Sequence, residues 1–135
     1  MTICGRGATM SRMPKKVVMV GHCGPDSSYL RLAVSRAVRD VSIVAADDES
    51  SLNKAIAGGV DLVLMNRQLD WGFTTDEGVE LIRQLKAEHP SLKLMMVSNY
   101  EEAQEAAVGA GALRGFGKRE LSTPRVAEVL RAALE

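Results

Sequence analysis

The stretch that decides the fold is Gly59-Val60-Asp61-Leu62-Val63-Leu64-Met65-Asn66, an apolar run that starts at a glycine pair and ends at a polar side chain. Its continuous Val, Leu and Met composition predicts a short strand buried on both faces, as in a parallel sheet. In open α/β sheets, ligands bind at the carboxyl ends of the strands. We therefore expect Asn66 in a ligand crevice, where it supplies an amide and not a carboxylate.

Strand and helix patterns alternate on both sides of this run. Strands are predicted at 15–20, 41–45, 59–66, 92–97 and 112–117, and apolar helical faces begin at Leu30, Leu52, Gly78, Ala103 and Val126. Asp26 or Ser27 is the expected N-cap of the first helix. Five strands alternating with five helices predict an α/β three-layer sandwich, with a parallel sheet, right-handed crossovers and helices on both faces.

The fourth helix is unusual because its predicted inward face is entirely alanine. Ala103, Ala106, Ala107 and Ala110 recur at helical spacing, while glutamates occupy the outer face. Small side chains bury little apolar area. We therefore expect this helix to contribute little burial and to be the most mobile of the five.

Length, composition and charge indicate one soluble globular domain. The 135 residues are 46% hydrophobic and carry 17 basic and 17 acidic side chains, so the net charge is zero and direct nucleic-acid binding is not expected. No apolar run is long enough to span a membrane. The two cysteines form neither a disulfide framework nor a metal motif, which favours a cytoplasmic setting. Residues 1–14 are predicted to be a disordered tail and 15–135 the domain.

The residues in this order resemble the receiver domain of two-component response regulators. The resemblance rests on Asp61-Leu62-Val63-Leu64-Met65 before the acceptor position, Asp76-Glu77-Gly78-Val79-Glu80-Leu81-Ile82 in the next helix, Val97-Ser98, and Gly111-Ala112 ahead of Lys118. It implies a flavodoxin-like sheet in the order 2-1-3-4-5. It also implies that Asn66 occupies the phosphoacceptor position.

The resemblance assigns further positions of the same pocket. Gly21 and His22 stand where the family has a pair of acids that hold Mg²⁺, and Ser98 and Lys118 match its two phosphate contacts. The family's switch aromatic usually lies three residues before the lysine, so Gly115 holds that place here. Phe116, two residues before Lys118, is the possible alternative.

These departures remove two requirements of phosphoryl transfer. The lone pair of an amide nitrogen is delocalised, so Asn66 is not a nucleophile at neutral pH. Mg²⁺ needs oxygen ligands, whereas Gly21 has no side chain and His22 offers nitrogen. We expect no Mg²⁺, no cofactor and no enzymatic activity. Lys118 is then left with no nearby cluster of negative charge to pair with, and the carbonyl of Asn66 can accept a hydrogen bond from it.

The sequence therefore predicts a signalling module of the phosphorelay family that is not phosphorylated at the usual site and acts by binding a partner protein. The resemblance places the contact surface on the fourth helix, fifth strand and fifth helix. A tryptophan in the polar loop after the third strand is a further candidate, because Trp often anchors interfaces. The candidates are Glu101, Glu102, Glu105, Arg114, Arg125 and Trp71. The partner and the oligomeric state stay open.

Two other functions are considered. Asp70 or Asp76 could accept the phosphoryl group in a working regulator, although both lie in the loop several residues beyond the crevice. Alternatively, a small flavodoxin-like nucleotide or cofactor binder could use the turn at 21–28, although that turn lacks the spacing of known phosphate-binding loops. A reactive thiol at Cys23 is disfavoured because no orienting group is identifiable.

Overall fold

The computed structural model describes residues 15–22, 24–69, 72–73 and 75–134. The elements are the strands β1 (Lys15–Val20), β2 (Val41–Ala46), β3 (Leu62–Asn66), β4 (Leu94–Val97) and β5 (Leu113–Phe116), the helices α1 (Gly24–Ala37), α2 (Glu49–Ala57), α3 (Gly78–Glu88), α4 (Glu101–Gly109) and α5 (Pro124–Leu134), and a 3₁₀ turn at Lys118–Glu120. The predicted tail at 1–14 lies outside the described residues, so that boundary stays a prediction.

The strands form one parallel sheet in the order β2-β1-β3-β4-β5. The predicted fold class and strand order are confirmed. β3 lies at the centre, and its four apolar residues are fully buried. This burial on both faces is why the strand lacks the alternation of polar and apolar residues that a half-exposed strand shows.

Helices cover both faces of the sheet and create two apolar clusters. Val63 and Met65 point into a cluster shared with α2, α3 and α4. Leu62 and Leu64 point to the opposite side, where α1 and α5 pack. Successive side chains of a strand alternate between faces, so β3 contributes to both clusters and joins the three layers.

The first helix begins earlier than predicted. α1 starts at Gly24, so Asp26 lies within its first turn and is not the N-cap. The prediction of a cap at Asp26 or Ser27 is therefore wrong. An acid in the first turn still interacts favourably with the positive end of the helix dipole. The shift turns Asp26 towards the carboxyl edge of the sheet, where it contacts Lys118.

The inward face of α4 also differs from the prediction. Ala103 and Ala107 are buried as expected, but Ala106 is exposed and Gln104 is buried in its place. The prediction of an all-alanine face is therefore wrong. The buried face of α4 is rotated by part of a turn relative to the predicted face. Gln104 points at the sheet because it forms hydrogen bonds with main-chain groups there.

A close backbone contact fixes the start of α3 against the end of β3. The Gly78 amide donates to Arg67 O at 2.7 Å. A Cβ added at Gly78 would lie 2.1 Å from Asn66 O, a distance that no real side chain tolerates. Glycine at this position therefore allows α3 to approach the strand end that carries the candidate site.

Replacing Gly78 with Ala should lower the free energy of unfolding by about 1–3 kcal/mol, because the backbone must move to admit the methyl group. Gly109→Ala is the matched control, since a Cβ there meets no atom within 4 Å. It should raise stability by up to about 1 kcal/mol. Urea unfolding of both variants measures the difference, and equal stability of the two would contradict the close contact.

Candidate functional site

The carboxyl ends of β3, β4 and β5 converge on one cavity. Asn66 ends β3, Ser98 follows β4 and Lys118 follows β5, and all three line a cavity of about 150 Å³. The other lining residues are Arg67, Gln68, Val97, Asn99 and Tyr100. Gly21 and His22 follow β1 and bond to its neighbouring strand. The structure thus brings the predicted pocket residues together at one edge, as parallel strands require.

The Asn66 carboxamide is held by two main-chain acceptors. Its Nδ2 donates to Gly21 O at 3.1 Å and to Gln68 O at 2.8 Å. Both acceptors are carbonyl oxygens, and only the NH2 group of the amide can donate to them. This fixes the orientation of the carboxamide. A carboxylate in the same position would place a negative oxygen against two carbonyl oxygens. The local backbone therefore suits an amide and opposes an ionised acid.

Gly21 has a conformation that favours glycine. Its φ of 77° lies in the left-handed region, and a Cβ would meet Leu69 Cδ2 at 2.6 Å. Any side chain here is strained and also has to displace Leu69. The position that the resemblance assigns to an acid is thus one where this backbone resists a side chain.

His22 is turned into the sheet and not into open solvent. Its Nε2 donates to Leu64 O at 3.0 Å, so the proton of the neutral ring is on Nε2 and Nδ1 is an unprotonated acceptor. Nδ1 is buried and has no hydrogen-bond partner among the described residues. Burial lowers the pKa of His22. The bond to Leu64 O opposes this effect, Lys118 adds to it, and Asp26 opposes it.

Lys118 has an acidic partner that the sequence analysis did not foresee. Its Nζ donates to Asp26 Oδ2 at 2.7 Å, between side chains that are 32% and 34% exposed. The expectation that Lys118 has no negative charge nearby to pair with is therefore wrong, and its hydrogen bond goes to Asp26 and not to the Asn66 carbonyl. At this exposure the ion pair contributes roughly 1 kcal/mol or less. Its main effect is electrostatic, because the negative charge of Asp26 balances the positive charge of Lys118.

Ser98 and Tyr100 shape the opposite wall of the cavity. Ser98 is 6% exposed, its Oγ accepts from the Tyr100 amide at 3.1 Å, and its own amide donates to Phe116 O. The Tyr100 ring lies 4.7 Å from the Arg67 guanidinium carbon, a cation–π contact at the cavity mouth. Arg67 and Tyr100 were not predicted, since neither position is part of a motif.

The donor set of this site does not fit a hard divalent cation. Gly21 has no side chain, the His22 Nε2 proton is committed to Leu64 O, and the nearby Asp26 carboxylate bonds to Lys118. No three His, Cys, Asp or Glu side chains within the described ranges could hold a metal ion together. Mg²⁺ requires several oxygen ligands in octahedral array. The loss of Mg²⁺ binding stays a prediction, which this arrangement favours.

Phe116 and Gly115 lie in the last strand but have different environments. Phe116 is 2% exposed and packs in the cluster with α1 and α5. Gly115 is buried next to β4 and donates its amide to Gln104 Oε1. A switching role for Phe116 is not tested by this placement. Gln104 was missed by the sequence analysis, and its bonds are considered below.

The predicted partner residues lie on one side of the molecule where they are described. Glu101 pairs with Arg114, and this bond lowers the pKa of the Glu101 carboxyl. Arg125 pairs with Glu120. Glu102 and Glu105 are exposed, as are the apolar side chains of Val108 and Leu113. Trp71 lies outside the described residues, as do Cys23 and Asp70.

Comparison with known proteins shows which fold this is. No protein-family model and no curated protein sequence matches the chain. Solved receiver domains do match. The receiver domain of RcsB from Escherichia coli aligns with a TM-score of 0.70 and 15% identity, covering 90% of this chain and 96% of that one. The receiver domain of a DNA-binding response regulator (merR) from Colwellia psychrerythraea 34H gives 0.68 and 12%, covering 87% and 96%.

The receiver domain of NtrX from Brucella abortus aligns with a TM-score of 0.63 and 25% identity, covering 87% of this chain and 97% of that one. The chain therefore has the receiver-domain fold of two-component response regulators. The resemblance drawn from the sequence is confirmed for the fold. No helix in the described part of the chain is long and apolar enough to cross a membrane.

The lowered pKa of His22 predicts a pH-dependent stability. Unfolded His22 takes up a proton as the pH falls through about 6.5, whereas the folded ring resists protonation. Stability is therefore complete above that pH and is lost on acidification, down to the folded-state pKa. His22→Gln keeps a side-chain N–H for Leu64 O but removes the titration. Between about pH 7 and pH 5, this variant should lose less unfolding free energy than the wild type.

Urea unfolding across this pH range is the measurement. His89→Asn, which removes the other histidine at the far end of α3, controls for the loss of an imidazole as such. Identical pH slopes for the wild type and His22→Gln would mean that burial of His22 does not disfavour its charged form.

Proposed function

We propose that this protein is a receiver-like signalling module that is not phosphorylated at Asn66 and that acts by binding a partner protein. The observation that carries the proposal is the bonding of the Asn66 amide, which donates both Nδ2 protons to Gly21 O and Gln68 O. In a receiver fold this position would supply the nucleophile. Here it supplies a structural amide.

The charges around Asn66 support the same conclusion. A phosphoryl acceptor needs a carboxylate, a divalent cation and an available lysine. The lysine of this site is already bound to Asp26, and the two residues directly after β1, Gly21 and His22, provide no oxygen side chain for a cation. Each requirement fails for a different structural reason, so no one of these residues alone accounts for the loss.

Protein binding is the activity that remains for such a module, and we place it on the surface formed by α4, β5 and the start of α5. This α4–β5–α5 surface carries Glu101, Glu102, Glu105, Arg114, Arg125, Val108 and Leu113. Mixed charges around a few exposed apolar side chains suit a polar, transient interface. We expect a protein partner, no catalysis and a cytoplasmic location.

The two alternatives have less support. Asp76 is exposed in the loop after β3, and its backbone carbonyl bonds to Leu69, while Asp70 is not described. For a nucleotide binder, the turn after β1 would have to be open, but Leu69 lies over Gly21 and Asn66 binds its carbonyl.

Phosphorylation is the direct test of the proposal. Incubation of the wild type with a small-molecule phosphodonor and Mg²⁺, followed by intact mass measurement, should show no added phosphoryl group. Asn66→Asp should also remain unlabelled, and it should lose about 1–3 kcal/mol of stability because two hydrogen bonds to main-chain oxygens are replaced by repulsion. Mg²⁺-dependent labelling of the wild type would refute the proposal, and labelling of Asn66→Asp would refute the account of positions 21 and 22.

Charge reversal tests the α4–β5–α5 surface. A partner captured from the native cell and purified should bind Arg114→Glu at least about fivefold more weakly, which corresponds to about 1 kcal/mol. Arg83→Glu is the matched control, because Arg83 forms an equally exposed ion pair with Glu80 on α3. Exposed ion pairs contribute little to folding, so both variants should fold. Equal loss of binding in both variants would exclude this surface.

A further inference from the structure

The carboxamide of Gln104 lies where α4 meets β4 and β5. The residue is 4% exposed. Its Nε2 lies 2.9 Å from Met96 O, 3.1 Å from Ser98 O and 3.2 Å from Phe116 O. Its Oε1 accepts the Gly115 amide at 3.0 Å. One side chain therefore contacts main-chain groups from both of the last two strands.

These bonds compensate for an irregularity in the sheet. The register between β4 and β5 shifts between Met95 and Val97. A Cβ on Gly115 would lie 2.0 Å from Met96 O, so the strands approach closely at this point. A bulge leaves backbone groups without ladder partners, and buried groups of this kind need another partner. Gln104 supplies a donor to Met96 O and an acceptor to the Gly115 amide.

The rest of α4 offers β5 one exposed ion pair, between Glu101 and Arg114, and such pairs contribute little to stability. Its other inward side chains, Ala103 and Ala107, are small. Its N-cap residue, Tyr100, makes no side-chain capping bond. The position of α4 relative to β5 thus depends strongly on one buried amide. Moving α4 away would leave main-chain groups of both strands unsatisfied inside the protein, which is unfavourable.

We propose that Gln104 is a positioning residue that locks α4 and β5 in one arrangement, so that the α4–β5–α5 surface is presented to its partner without a signal at Asn66. The inference rests on the proposed function for the role of that surface. The lock itself is a property of the free protein. It explains how a module without a phosphoacceptor keeps its contact residues in a constant geometry.

The first test uses the wild-type protein and NMR. The side-chain Nε2 protons of Gln104 should exchange with solvent at least tenfold more slowly than those of the exposed Gln68. The amides of residues 97–100 and 113–117 should show no microsecond-to-millisecond exchange in relaxation dispersion. Equal side-chain exchange rates, or strong dispersion in these two segments, would overturn the proposal.

The second test uses Gln104→Met, which keeps the length of the side chain and removes its hydrogen bonds. The Gly115 amide should lose at least tenfold more protection from hydrogen exchange than the Val18 amide of β1, and dispersion should appear in both segments. Glu105→Met, exposed on the same helix, is the control and should change neither. Equal loss at Gly115 and Val18 would mean that Gln104 stabilises the fold only globally, and would refute the lock.

Both measurements are made on the free protein. Failure of the lock would leave the phosphorylation and partner-binding results intact. Conversely, labelling at Asn66 would end the proposed function without altering the exchange data. If Gln104→Met does not fold, the wild-type comparison of Gln104 with Gln68 still decides.

Discussion

The two hydrogen bonds that Asn66 donates to the main chain constrain the whole carboxyl edge of the sheet. They tie the residue after β1 to the end of β3 and to the loop that leads into α3. The same loop accepts the Gly78 amide, and glycine there lets α3 approach. An amide can serve these carbonyl oxygens and an ionised acid cannot. The Asn66 amide therefore fixes the local geometry, and the same geometry opposes an ionised carboxylate at this position.

The charge of Lys118 is balanced within the chain. Asp26 reaches Lys118 from the first turn of α1, and the buried ring of His22 favours its neutral form. Lys118 therefore carries no unpaired charge that an external phosphoryl group would have to neutralise, while the Arg67 guanidinium at the cavity mouth contacts the Tyr100 ring. This differs from a pocket that has merely lost its acids and keeps an unpaired lysine. This internal pairing agrees with the proposed function, in which the partner binds at the surface.

The sequence predicted the fold and the convergence of Asn66, Ser98 and Lys118 because these follow from local patterns. Apolar runs define the strands, and parallel strands bring their carboxyl ends to one edge. Asp26 was assigned to the cap of the first helix, and Gln104 was missed because apolar periodicity assigns a polar residue on a helix to solvent. Only the tertiary structure shows that Asp26 faces a lysine 92 residues away and that Gln104 faces two strands.

The alanines of α4 illustrate the same limit. Their spacing was compatible with two neighbouring faces of the helix, and the choice that excluded Gln104 appeared the more apolar. The structure selects the other face because a register shift in the sheet creates polar partners there. A strand irregularity of this kind has no signature in hydrophobic periodicity, although the glycine in β5 is compatible with it.

The positive φ of Gly21 has a consequence for how this chain could change over time. An acidic residue at that position would have to adopt a disfavoured backbone conformation and displace Leu69. Only the binding of a cation could offset this cost. Cation binding in turn requires a carboxylate in place of the Asn66 amide. That carboxylate would lie against the carbonyl oxygens of Gly21 and Gln68. Each first step towards a phosphate-responsive site is thus unfavourable without the other. The backbone around Gly21 and Asn66 therefore opposes the stepwise introduction of acidic side chains at these two positions.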